Sequence, residues 1–158
     1  LQIIYSFVLI STIMIQTFYP LLTLNPKSDP TNRYYMYNTL LQDTKKIIEK
    51  PDYHNYRIVS NNFQIPSMVN FYLGPSLESI CLSIDYHETL YSFLYTNEDI
   101  KGEDFIFIYN KNYFPNNLKK YFSDHELIDT SIQYRNGEII NEYTIWLAKN
   151  YKGKENLF

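Results

Sequence analysis

The chain has one cysteine, Cys81, and four glycines among 158 residues. A single thiol excludes an intrachain disulfide and any zinc site of the CxxC kind. Within the apolar run "SICLSI" it reads as a small core residue. With so few glycines there is no G-x-G-x-x-G and no P-loop, which argues against a glycine-rich nucleotide site. No G-x-S-x-G elbow surrounds any serine. Positive charge is also scarce and scattered: 14 Lys and Arg against 17 Asp and Glu give a net charge of -3. Nothing marks a basic stripe, so nucleic acid is not an expected partner. The three histidines, His54, His87 and His125, lie in separate segments without ligand spacing, and His87-Glu88 is not part of an HExxH. All three read as surface residues, and neither a metal nor a cofactor is expected.

Charge is missing altogether from residues 1–24, "LQIIYSFVLISTIMIQTFYPLLTL". A bilayer core of about 30 Å takes roughly 20 such residues in a helix. Tyr19 and Pro20 suit the far interface. A signal peptide needs a basic start and a small-residue cleavage site, and neither is present. A buried soluble helix is the third possibility, though the segment is apolar on every side. The segment is therefore expected to be a transmembrane helix. Gln2, Gln16 and its Ser and Thr residues would face partner helices. The first residue is Leu, and the expectation is a fragment of a longer protein.

Beyond residue 24 the pattern becomes that of a soluble domain. "SDPTNR" carries helix-start chemistry, with Asp29 or Thr31 to cap and Pro30 in the first turn. Tyr34, Tyr37, Leu40, Leu41, Thr44, Ile47 and Ile48 recur at steps of three and four, one apolar face of a helix. Pro51 ends it. Strands are expected over 56–60, 79–84 and 105–109. Helical segments are expected over 65–73, around "HETLYSFLY" and around "PNNLKKYF". Asn136-Gly137 between two alternating runs predicts a terminal hairpin. Alternation of strands and helices predicts a mostly parallel sheet with helices on both faces. The fold expected is thus α/β, a small three-layer sheet, mostly parallel with a C-terminal antiparallel hairpin, preceded by the transmembrane helix.

Chemistry-bearing residues are sparse. Glu98-Asp99 and Glu103-Asp104 flank the loop before the third strand, and paired carboxylates can do acid–base work, but a solvated turn is the reading expected here. In open α/β sheets ligands gather beyond the carboxyl ends of the strands. Asn61, Asn62 and Gln64 follow the first strand there, and Asp85-Tyr86 follow the second. Asn61, Asn62 and Gln64 are the candidate substrate-binding residues. Turn chemistry is the plainer reading of the same residues, since Asn tolerates positive φ.

In order along the chain come "DPTNRYYMYNTLLQD", "RIVSNNFQIPSMVNFYLG", "GEDFIFIYN" and "YTIWLAKNYKG". Together they resemble the C-terminal soluble domain of bacterial integral-membrane glycosyltransferases, relatives of the protein mannosyltransferases and of the lipid A aminoarabinose transferase. The resemblance rests on Asp29, Pro30, Thr31 and Arg33, on Asn62, Gln64, Tyr72 and Leu73, on Gly102 and Asp104, and on Asn150 and Gly153. It covers nearly all of residues 1–154. It implies that residues 1–24 are the last transmembrane helix and that residues 25–158 are an extracytoplasmic, periplasmic domain resting on the transmembrane body of the same protein in the inner membrane. It implies a polyprenyl-phosphate sugar as donor for the whole enzyme. The catalytic acid of such enzymes lies upstream, so no catalytic residue is expected here. A membrane-anchored, non-enzymatic binding module is the alternative.

Overall fold

The structure is a computed structural model. It describes residues 1–153 apart from 20, 23, 26–28, 30, 75–76 and 85–88. The expectations for Pro20, Pro30, Asp85, Tyr86, His87 and Glu88 lie outside the described residues.

The first helix, α1 (Gln2–Phe18), has 17 residues and no buried side chain. At 1.5 Å per residue it rises about 25 Å, short of a hydrocarbon core of about 30 Å. No helix among the described residues is long and apolar enough to cross a membrane. The helix expected over 1–24 therefore stops six residues early, and side chains are the cause. Gln16 Oε1 accepts from the amides of Leu21 and Leu22, both at 3.0 Å, and Gln16 Nε2 donates to Leu22 O at 2.8 Å. These bonds fold the chain back over the helix end and replace the next helical turn.

The rest of the chain forms a mixed α/β domain on a five-stranded sheet. Helix α2 (Asn32–Ile48) comes first, then β1 (Arg57–Ser60), α3 (Gln64–Leu73), β2 (Ser79–Cys81), α4 (Tyr91–Leu94), α5 (Asn97–Ile100) and β3 (Phe105–Tyr109). A 3₁₀ turn at Lys119–Tyr121 precedes β4 (Asp124–Arg135) and β5 (Glu138–Lys149). Two of the expected helices shrink. Of "HETLYSFLY", only Tyr91–Leu94 is helical among the described residues, and "PNNLKKYF" keeps only the 3₁₀ turn.

The strand order is β2-β1-β3-β5-β4. Strand β1 pairs in parallel with β2 and β3; β5 pairs antiparallel with β3 and β4. The parallel core is thus three strands wide, and the hairpin adds two antiparallel strands. It joins by its second strand, not its first. "YTIWLA" explains why: Tyr143, Thr144 and Ile145 are buried in succession, so both faces of β5 are covered, as a central position requires. Strand β4 carries Asp124, Glu126 and Asp129 outward and serves as a charged edge.

The pleat sorts the core into two layers. Ile58, Ile106, Ile108, Tyr143 and Ile145 point to the face covered by Leu40, Leu41, Ile47 and Ile48 of α2 and Ile65 and Val69 of α3. Val59, Phe105, Phe107 and Ala148 point to the other face. That face is closed by Ile100 of α5, Phe114, Leu118, Tyr121, Phe122 and Tyr151. Cys81 is buried in this sheet as a free thiol.

Asn136 and Gly137 form the two-residue hairpin turn, at φ +53° and +82°, between the paired residues Arg135 and Glu138. Positive φ at both positions is the type I′ requirement. Two bulges, near Ile128 and Ile140, interrupt the simple alternation expected of the hairpin.

Candidate functional site

The carboxyl ends of β1, β2 and β3 lie at one end of the sheet. Strand order reverses around β1, which has β2 on one side and β3 on the other; that makes its carboxyl end a switch point of the kind where α/β sheets bind ligands. The structure brings Asn61, Asn62 and Gln64 to this place, with their side chains already engaged. Asn61 is buried; its Nδ2 donates to Ile84 O and its Oδ1 accepts from Ile84 N, both at 2.7 Å. That amide mimics a strand and ties the end of β1 to the segment after β2. Asn62 Oδ1 accepts from Gln64 N at 2.9 Å, an Asx turn that leads into α3. Gln64 Oε1 accepts from the Tyr37 hydroxyl at 3.1 Å, joining α3 to α2.

At the same end an open cleft of about 350 Å³ runs between the loop after β3 and the leading residues of β5. Asn110, Lys111, Asn112 and Tyr113 line one wall, and Ile139, Ile140, Asn141 and Glu142 the other. The loop is held in place by Thr144, whose hydroxyl donates to Lys111 O at 2.6 Å and accepts from Trp146 Nε1 at 2.7 Å. Amides, a phenol, one ammonium group and the Glu142 carboxylate can bind a polar ligand there. They supply no nucleophile–base pair, and no group of His, Cys, Asp and Glu among the described residues could hold a metal.

The hairpin overhangs this end. Strand β3 stops opposite Thr144, so β5 runs six residues beyond it to Glu138, roughly 20 Å at 3.4 Å per residue. At its tip Arg135 gathers the most buried ionic cluster among the described residues. Arg135 Nη1 donates to Asp29 Oδ2 at 2.9 Å, Thr31 Oγ1 at 2.6 Å and Asn32 Oδ1 at 2.7 Å. Its Nη2 donates to Gln16 O at 2.8 Å, and the guanidinium lies 4.8 Å from the centre of the Tyr35 ring. The Tyr35 hydroxyl donates to Thr17 O at 2.6 Å. A cation on the last carbonyls of α1 satisfies groups that no helical amide reaches, and it complements the helix dipole. Burial by itself pushes the Asp29 carboxyl up. Hydrogen bonds from the Thr31 hydroxyl and amide, together with the Arg135 charge, outweigh that and hold it below its usual value.

Sequence reasoning missed Arg135, which stood only as a residue beside a turn. The available signal was an arginine directly before Asn-Gly in a strand that buries its alternate residues. Asp29 and Thr31 do precede α2, but neither side chain caps it; both instead meet an arginine 106 and 104 residues away.

At the opposite, amino end of the sheet, Arg57 bridges Glu78 and Glu103, each at 3.1 Å, and the Tyr95 hydroxyl donates to Glu78. Glu103 is thus an ion-pair partner. Asp104 accepts from Asn150 N at 2.7 Å, and Asp99 closes a capping box with Thr96. Glu98 and Asp99 are exposed, as a solvated turn requires, while Glu103 and Asp104 are half-buried and engaged. His54 is exposed as expected, whereas His125 is half-buried against Phe114 and Trp146.

No family model, curated protein or solved structure matches the chain.

Proposed function

We propose that residues 25–158 are the accessory extracytoplasmic domain of an integral-membrane glycosyltransferase, one that moves a sugar from a polyprenyl-phosphate carrier to a lipid, glycan or protein acceptor. Residues 1–24 seat the domain on the membrane side. The observation that supports this is α1. Ile3, Ile4, Phe7, Val8, Ile10, Ile13 and Met14 are all at least half exposed. Moving such a side chain out of water is worth about 1.5–3 kcal/mol, so the natural surrounding of this helix is apolar. Tyr19, Leu21, Leu22 and Leu24 continue the exposed apolar surface past the helix end.

The polarity of the domain fits the same reading. Arg135 fastens the end of α1 to the hairpin tip, and the hairpin overhangs the carboxyl ends of the strands. The cleft and the candidate residues therefore lie on the side of the domain toward α1. A domain so placed turns its ligand-binding edge toward the membrane body. The chain's own residues would contribute binding and positioning, with the catalytic acid supplied upstream.

Reading the genomic sequence that precedes Leu1 tests the assignment. About ten further hydrophobic segments and an early acidic loop are expected. A preceding frame without hydrophobic segments would replace this reading with the membrane-anchored binding module. Purified chain incubated with a polyprenyl-phosphate sugar and candidate acceptors is expected to show no turnover; turnover above background would move the chemistry into this domain.

A further inference from the structure

We infer that the tip of the β4–β5 hairpin is a second membrane contact, with Tyr134 and Ile139 entering the interfacial layer of the bilayer beside the end of α1. The inference rests on the membrane reading above and adds a surface to it.

Tyr134 and Ile139 are direct cross-strand partners. Such partners stand side by side on one face of a hairpin. Both are more than half exposed, at 55% and 54%. The residues that alternate with Tyr134 are the buried ones, Gln133 and Arg135, and they are polar. Over Gln133–Arg135 the hairpin thus turns polar groups inward and an apolar ring outward, while on the facing strand Ile139 is exposed beside the buried Ile140. A strand with one face in water does the reverse.

Location supplies the occupant. Arg135 follows Tyr134 in the chain and donates to the Gln16 carbonyl at 2.8 Å. One arginine side chain is all that separates the tip from the last turn of α1. The exposed residues nearest in sequence to that turn are Phe18, Tyr19, Leu21 and Leu22, so two apolar surfaces meet where the uncharged segment ends. Tyr is suited to this level because its ring is apolar and its hydroxyl can stay hydrated. Arg135 is neutralised by Asp29, which leaves Glu138 as the exposed charge of the tip. Such a tip has no cation to seek anionic lipid, and it fits zwitterionic headgroups. With two points of attachment, a helix and a hairpin some distance from the sheet, the domain would be fixed in tilt as well as tethered.

The test uses the whole chain and vesicles of pure phosphatidylcholine. In a Tyr134→Trp variant, brominated phosphatidylcholine is expected to quench the new indole and to leave Trp146, the tryptophan of the unchanged chain, near its initial emission. The Tyr134→Ser, Ile139→Ser double variant is expected to float about tenfold less with the vesicles at the same thermal midpoint, since both side chains are exposed. Replacing a third of the lipid with phosphatidylglycerol is expected not to strengthen binding. An unquenched indole at 134, with the unchanged chain still floating, overturns the hairpin contact and leaves α1 as the sole attachment. If the unchanged chain does not float at all, the membrane reading fails and the hairpin contact with it. Loss of self-association in the double variant without change in flotation would assign the patch to a second copy of the chain and overturn the proposal.

Discussion

Two arginines organise the two ends of this domain, and they work under opposite conditions. Arg135 and Asp29 are each 6% exposed in their side chains; Arg57, Glu78 and Glu103 are 29%, 46% and 34% exposed. Both networks are built from similar bonds near 3 Å. Burial sets them apart energetically. Removing one partner of a buried pair leaves an uncompensated charge and costs about 3–5 kcal/mol, whereas an exposed pair is worth about 0.2–1 kcal/mol. The amino-end network trims the edge of the sheet. The Arg135 cluster joins three segments distant in sequence: the end of α1, the start of α2 and the hairpin tip. A residue that cannot be removed cheaply sits where the apolar helix meets the domain, which is where a rigid coupling is needed.

The sharpest way to break the comparison is Arg135→Ala. It strands Asp29 in the interior and uncaps α1, and a loss of about 3–5 kcal/mol is expected in urea denaturation. A loss below about 1 kcal/mol would mean the cluster is hydrated and the contrast between the two ends disappears. Acid titration sharpens the same point. Asp29 has its folded pKa lowered, so its contribution is present above the unfolded value near 3.9 and is lost as pH falls through the lower folded value. The gap in stability between the unchanged chain and Arg135→Ala should therefore narrow below about pH 4.

Gly137→Val acts on the same tip without touching a charge. A Cβ at Gly137 meets nothing within 4 Å, so the cost is backbone strain at φ +82°, about 1–3 kcal/mol. An unchanged denaturation midpoint would remove the tight turn as the device that aims Arg135. Asn136→Gly should be nearly neutral.

Arg57→Ala, at the exposed end, is expected to cost at most about 1 kcal/mol. The smallest effect is spectroscopic. The hydrogen bond to Glu78, then burial, pushes the Tyr95 phenol up to about 12. A raised phenol favours the fold while it is protonated, so this contribution is complete below the unfolded value near 10 and is lost as pH rises from there toward 12. Subtracting the absorbance titration of Tyr95→Phe isolates this phenol, and Glu78→Gln should bring its midpoint down.

Much of the fold was legible along the chain because it is local. "FIFIY" declares a buried strand, the Leu40–Ile48 spacing an amphipathic helix, and Asn136-Gly137 a tight turn, since short-range sterics and burial suffice for each. The candidate residues Asn61, Asn62 and Gln64 were placed correctly at the strand end. Their bonding was not legible: an amide free for a ligand and one tied to Ile84 have the same sequence.

By itself the sequence determined the alternation of elements, the hairpin, the uncharged leading segment and the lack of a glycine-rich or metal-ligating motif. Only the tertiary structure decided that β5 and not β4 joins β3, that α1 stops at Phe18, and that Asp29 meets Arg135 across 106 residues. The reason is the range of the forces. Dihedral preferences and hydrophobic periodicity act over a few residues and are written locally. The choice of a strand's neighbour and of a buried charge's partner is made only once the whole chain has excluded water from one place, where an unpaired ion is intolerable.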